Sequence, residues 1–359
     1  MLRHGLVPLA VVFGLLAVAS AQPTVKDARM DTHASSGLEK EVQALTASRR
    51  GPEWLGYTVP LAPGASFICC LGSGSSFAKS MGCCSGCRLE GKNEVYTSSD
   101  RHPCQQRSSG QLNVLFRIEG ERIRKVRVFT ADCALAGGGL PLHWLTGVPP
   151  AESLRFLASL VGSASAGKSG EDFADDALWA IAAHDEPQAD VILERFAAPG
   201  QPYQLREKAS FWIGQQRGRH GFEFVRDLLR REQDSRMREH LTFVLSETNE
   251  AEAIPELIRV ARTDPIAKVR GEALHWMAQK AGKKVAGEVV EAIERDPETE
   301  VKKKAVFALS EMPHNEGVPL LIQLARTHKN PEVRKEAILW LGESDDPRAL
   351  AFLEDVLLH

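Results

Sequence analysis

The residues best suited to chemistry are seven cysteines: Cys69, Cys70, Cys83, Cys84, Cys87, Cys104 and Cys133. All fall within one 65-residue span of the 359-residue chain. In an exported chain, thiols at this density predict a disulfide framework that staples a small core. An odd number leaves one over, and spacing does not give the connectivity. Two other chemistries fit. Cys83-Cys84-x-x-Cys87 with Cys104 supplies four sulfur donors for tetrahedral zinc, although no second Cys-x-x-Cys completes a paired knuckle. Cys84-Ser85-Gly86-Cys87 has the form of an exchange dithiol, but no helix in that Gly/Ser-rich stretch would lower a thiol pKa. The disulfide framework is the primary reading, and all seven are candidates for it.

Other motifs fall short. His143, beside Trp144, could ligate a metal, yet a packed or surface histidine is the simpler reading. Gly72-Ser73-Gly74-Ser75-Ser76 lacks the Gly-Lys-Ser/Thr of a phosphate loop, and Gly167-Lys168-Ser169 follows a helical pattern rather than a strand. The sequence therefore names no catalytic residue, no metal ligand set and no cofactor.

A second group of residues carries charge at fixed spacing. Arg206, Arg238, Arg270, Lys302 and Arg334 recur at one constant interval. Arg230, Arg262 and Arg326 keep the same interval with one copy skipped, and Arg195 and Arg259 lie one turn earlier in their copies. Trp212, Trp276 and Trp340 recur in alternate copies. Segments starting at Phe173, Leu205, Met237, Val269, Val301 and Val333 align without a gap. Counting from each start, offset four reads Ala177, Ala209, Leu241, Ala273, Ala305 and Ala337, and offset eight reads Ile181, Ile213, Leu245, Met277, Leu309 and Leu341. These lie on one helical stripe. Offset nine is always small, where the first helix stops. Offset twenty (Leu193, Val225, Leu257, Val289, Leu321, Leu353) opens a second stripe. Asp264-Pro265, Asp296-Pro297 and Asn330-Pro331 each set a capping side chain before a proline. Each copy is thus two helices, and stacked hairpins bury stripes that one hairpin leaves bare.

Before the repeats the chain changes character several times. Arg3 and His4, an apolar run from Leu6 to Val18, and Ala19-Ser20-Ala21 form a three-part secretory signal, too short to span a bilayer comfortably. It predicts a mature chain from Gln22, periplasmic or extracellular, with no membrane span. Residues 22–50 read as a polar tether, with a short helix over Leu38–Leu45. Residues 51–161 read as a Cys-rich β-containing domain. Leu55, Tyr57, Val59 and Leu61 alternate, as do Leu112, Val114, Phe116 and Ile118; Val126 and Val128 resume after a Gly120-Glu121 break. Pro149-Pro150 opens a helix, and 162–172 is a small-residue linker. Net charge is −3 overall, and residues 173–359 carry 26 Lys+Arg against 33 Asp+Glu, which excludes a basic field for nucleic acid.

The repeat openings Val269-Arg270-Gly271-Glu272-Ala273 and Val333-Arg334-Lys335-Glu336-Ala337 resemble HEAT repeats, in particular the short form associated with phycobilin lyases. The resemblance is to an exported bacterial HEAT-repeat protein with a Cys-rich N-terminal module. It implies an α+β chain overall, with an all-α HEAT-like solenoid of six 32-residue hairpins behind a small β-rich, disulfide-containing domain. It also implies a non-enzymatic scaffold that binds a protein or peptide on the concave face, which the second helices line. Deoxyhypusine hydroxylases share the fold, but no histidine here is followed by Glu, so their iron-binding pairs are missing. In such folds the Arg206–Arg334 row pairs with carboxylates of neighbouring repeats, while Arg195, Arg230, Arg259, Arg262 and Arg326 are candidates for partner binding. The alternative is a redox or metal-handling protein acting through the cysteines, with the solenoid recruiting substrate. The oligomeric state is open.

Overall fold

The computed structural model describes residues 22–48, 51–63, 65, 87–90, 110–164 and 171–358. The signal segment and Cys69, Cys70, Cys83, Cys84 and Cys104 lie outside the described residues.

Strands β1 (Val25–Lys26) and β2 (Met30–Ala34) and helix α1 (Leu38–Ser48) precede β3 (Glu53–Pro60). Then come β4 (Cys87–Arg88), β5 (Gln111–Glu119), β6 (Arg122–Thr130), β7 (Leu135–Ala136), β8 (Leu142–Thr146) and α2 (Pro150–Ala164). One sheet runs β2-β8-β3-β5-β6 and a smaller one β1-β7-β4. β8 pairs in parallel with both β2 and β3, while β3–β5 and β5–β6 are antiparallel. Residues 22–50 are therefore not a tether: β1, β2 and α1 are built into the sheets and their cover. Met30-Asp31-Thr32-His33-Ala34 shows no apolar alternation because an edge strand is held mainly by backbone bonds.

The predicted alternation is met on both faces. Leu55, Tyr57, Val59, Leu112, Val114, Phe116, Ile118, Val126 and Val128 belong to one continuous core shared with α1, α2 and the solenoid. Trp54, Leu115, Phe129 and Trp144 face the other way, against Leu89, Leu135 and Cys87. Cys87 and Cys133 are joined by a disulfide. Cys87 is thereby spoken for, which removes it from a zinc set with Cys83, Cys84 and Cys104 and from a dithiol with Cys84.

Six hairpins follow. They are α3 (Glu171–Ala183) with α4 (Gln188–Ala197), α5 (Tyr203–Gln216) with α6 (Gly218–Arg231), and α7 (Ser235–Glu247) with α8 (Ala253–Thr263). Next are α9 (Ala267–Ala281) with α10 (Ala286–Arg295), α11 (Thr299–Ser310) with α12 (Val318–Thr327), and α13 (Pro331–Gly342) with α14 (Pro347–Leu358). Every stripe residue named at offsets four and eight is buried. Two hairpins are closed at glycine: a Cβ on Gly221 would collide with the Ile213 carbonyl oxygen, and one on Gly317 with that of Leu309. No side chain fits where the second helix crosses the first so closely.

The sheet and the first hairpin are locked together. Ala62 N–H donates to Ala183 O (2.8 Å) and Asp185 N–H to Pro60 O (3.1 Å). Between them lies a buried relay. His184 Nδ1–H donates to Ala180 O (2.6 Å), so Nε2 accepts from the Ser153 hydroxyl (2.8 Å), whose oxygen accepts from the Tyr57 phenol (2.7 Å). Burial pushes His184 down to about 4 against the help of the Ala180 carbonyl; the Arg217 charge adds to the effect. The imidazole is neutral, as its acceptor role requires. α2 runs to Ala164 and α3 starts at Glu171; the rest of the expected linker lies outside the described residues.

Candidate functional site

Two ladders tie the hairpins together. At offset one, Arg206 Nε donates to Ala197 O (3.1 Å) and its guanidinium pairs with Glu232. Arg238 reaches Leu229 O (2.7 Å) and pairs with Asp264. Arg270 reaches Asp264 O (3.0 Å) and grips Asp296 with two bonds (2.7 and 2.9 Å). Each cation thus caps the carbonyl end of the preceding second helix and holds the carboxylate that ends its own. That carboxylate belongs to the same copy as its arginine, so the expected pairing with a neighbouring repeat is replaced by this three-way junction. Burial raises the Asp296 carboxyl, but Arg270 and the Glu298 N–H outweigh it and hold it below the usual value. The ladder breaks at Lys302, which binds Ile293 O (2.7 Å) and Glu294 O (2.9 Å). In that copy His328 takes the place of the carboxylate.

The first helices lie against one another along the stack. A continuous file of rings runs along them. Trp179 meets Trp212 (6.3 Å), Phe211 stacks on Phe243 (5.8 Å), Phe243 meets Trp276 (4.9 Å), and His275 stacks on Phe307 (5.1 Å), which meets Trp340 (4.7 Å). Trp212 is buried; Trp276 and Trp340 are half-buried at the core's edge. The predicted tryptophan row is therefore part of a larger file, whose other half sits at offset six. His275 Nδ1 has no hydrogen-bond partner in it.

Successive second helices touch far less. The candidate arginines lie here, and most of their charge is matched. Arg230 binds Glu256 with two bonds (3.2 and 3.1 Å), and Arg259 binds the same carboxylate (2.8 Å). Arg262 lies between Glu288 (2.5 Å) and Glu291 (3.0 Å), and Arg326 pairs with Asp355 (3.1 Å). Arg195 is exposed and lies over the Phe196 ring. Between α8 and α10 the helices part around a cleft of about 440 Å³. It is lined by Ile258, Ala261, Leu274, Met277 and Ala292, by Asp264 and the Arg270–Asp296 pair, and by Arg262, Arg295, Glu288 and Glu291. Sequence reading missed Ala292. Its signal was available: offset twenty-three reads Phe196, Leu228, Val260, Ala292, Leu324 and Val356, so one copy alone lacks a bulky side chain.

Among the described residues no group of three or more His, Cys, Asp or Glu side chains could hold a metal, and His143 Nε2 instead bonds Glu53 (3.0 Å). No described helix is long and apolar enough to cross a membrane.

Residues 288–359 match the family model for HEAT repeats. No curated protein matches the sequence. Among solved structures, YibA of Escherichia coli is 18% identical, covering 57% of this chain and 76% of that one, with a TM-score of 0.34. Human deoxyhypusine hydroxylase in complex with glycerol is 17% identical (56% and 90% covered, TM-score 0.28). The complex of CpcE and CpcF of phycocyanin lyase from Nostoc is 16% identical (55% and 77%, TM-score 0.30).

Proposed function

We propose that this protein is an exported, non-enzymatic scaffold whose HEAT-type solenoid binds a protein or peptide along its second-helix layer. The observation that carries the reading is the cleft between α8 and α10, where apolar side chains and charged ones line the same opening. Apolar side chains with polar ones beside them are the usual lining of a peptide-binding surface. Export is supported by the signal pattern from Arg3 to Ala21 and by the Cys87–Cys133 disulfide, a bond suited to an oxidising compartment.

A displayed peptide library panned against the full mature chain tests the binding reading. Enriched peptides carrying a photoreactive group should cross-link to α6, α8, α10 or α12. Cross-links confined to other elements, or no enrichment over unfolded protein, would overturn it. Export predicts that the protein from the exported fraction begins at Gln22; a cytoplasmic chain that still begins at Met1 would refute it.

A further inference from the structure

We propose, resting on the scaffold reading above, that the cleft between α8 and α10 takes a basic amphipathic segment: one large apolar side chain fills the space over Ala292, and adjacent lysine or arginine residues meet the carboxylates of α10. Three observations lead there. The first is volume. At offset twenty-three the second helices carry Phe196, Leu228, Val260, Leu324 and Val356, but α10 carries Ala292, and the cleft of about 440 Å³ opens at that residue. Met277 and Leu274, which line it beside Ala292, are themselves buried, and the buried Arg270 there is already paired with Asp296, so the side chain that fits over Ala292 is aliphatic or aromatic.

The second observation is charge. Residues 286–300 hold six carboxylates and the single base Arg295; Arg262, Arg295, Arg270 and Lys303 pair with Glu288, Glu291, Asp296 and Glu300, so the acidity offered to a partner centres on Glu294 and Glu298. Glu288, Glu291 and Glu294 stand at helical spacing along α10, and Glu294 occupies the offset that is arginine in α6, α8 and α12. Glu294 and Glu298 are exposed. The third is the occupant already at the rim. Arg262, half-exposed, lies between Glu288 and Glu291, which shows that this pair accepts a guanidinium. A partner's cation has the same chemistry, and the net acidity of the solenoid favours its approach.

The probe is a short synthetic amphipathic peptide of alternating Leu-Leu and Lys-Lys pairs, titrated by fluorescence anisotropy into the full mature chain at physiological salt. Its counterpart with Glu for Lys should bind at least ten-fold more weakly. Ala292→Leu, which restores a side chain of the size found in the other repeats, should weaken the Lys peptide at least ten-fold while the melting temperature holds or rises. Ala292→Val serves the same purpose should the leucine distort the hairpin. Glu291→Lys with Glu294→Lys should weaken binding ten-fold or more. Glu343→Lys with Glu354→Lys, an equal charge change on exposed positions of the last hairpin, should leave it within two-fold. Unchanged binding by both Ala292 variants, or equal loss in the two charge pairs, overturns the cleft assignment. A library-selected peptide that binds the second-helix layer but ignores Ala292→Leu sinks the cleft and leaves the scaffold standing; no binder of any kind sinks the scaffold.

Discussion

The two layers of the solenoid obey the same 32-residue register and are packed differently. The first helices close on one another through small residues and a file of aromatic rings. The second helices stand apart, bridged by arginine–carboxylate clasps at the surface and split by a cleft. One register therefore dictates stacking but not density. Density is set copy by copy, by what occupies the facing offsets. Where the copies agree the molecule is a stack; where one departs, as at Ala292, the second layer opens into a cleft.

The sharpest way to break the comparison is to cut one clasp of each kind beside the same cleft, which both Arg262 and Arg270 line. Arg270 is buried and bound to Asp296 with two bonds. Arg270→Met strands that carboxylate and should cost about 3–5 kcal/mol, read as a shifted denaturation midpoint. A loss below about 1 kcal/mol would mean the junction ladder is ornamental.

Acid should separate the layers next. Burial pushes both His184 and His240 down to about 4; hydrogen bonds to the Ala180 and Glu207 carbonyls oppose this. The folded state therefore binds fewer protons than the unfolded chain below pH 6.5. The stability these two groups contribute is complete above that value and is lost as pH drops from there through 4, by about 3 kcal/mol for each. In the second layer, burial raises Glu256, but Arg259 and Arg230 outweigh it and hold its carboxyl below the ordinary value. Its clasp survives into more acid solution. Melting temperatures should decline between pH 6.5 and 4, and His240→Gln should flatten the decline. An unchanged slope would place the acid-sensitive groups elsewhere.

Hairpin closure comes third. Gly317→Ala drives a methyl against the Leu309 carbonyl and should cost about 1–3 kcal/mol, since packed backbone yields poorly. A neutral result in thermal unfolding would show that the crossing has slack.

Much of this was legible beforehand, and the gaps have physical causes. The six hairpins follow from offsets four, eight and twenty because each stripe must be buried by the next copy. The strands at Leu55–Val59 and Leu112–Ile118 announced themselves by alternation. The parallel pairing of β2 with β8 did not, because it joins residues more than a hundred apart through backbone groups that every residue shares. Cys87–Cys133 was one of many allowed pairings. The rings at offset six were visible as letters, but their file depends on how neighbouring helices are rotated. Ala292 needed a whole column read for its exception rather than its agreement.

A gain is expected inside the tight layer. His275 is buried with Nδ1 unpartnered, at an offset that is aromatic in four other copies (Trp179, Phe211, Phe243, Phe307) and Leu339 in the last. His275→Phe keeps the stacking on Phe307 and removes the unpaired nitrogen. It should raise stability by about 1 kcal/mol, seen as a higher melting temperature; destabilisation would reveal a partner for that nitrogen.

The smallest effect belongs to the open layer and completes the comparison. Arg262 is 53% exposed, and its partners Glu288 and Glu291 are 30% and 41% exposed. Water screens all three, so Arg262→Met should change stability by less than about 1 kcal/mol, far below the loss at Arg270. The two arginines carry the same charge and line the same cleft, and they differ in how much water reaches them. A cost at Arg262 equal to that at Arg270 would mean that the second helices are held as tightly as the first, and that the cleft beside them is not free to receive a partner.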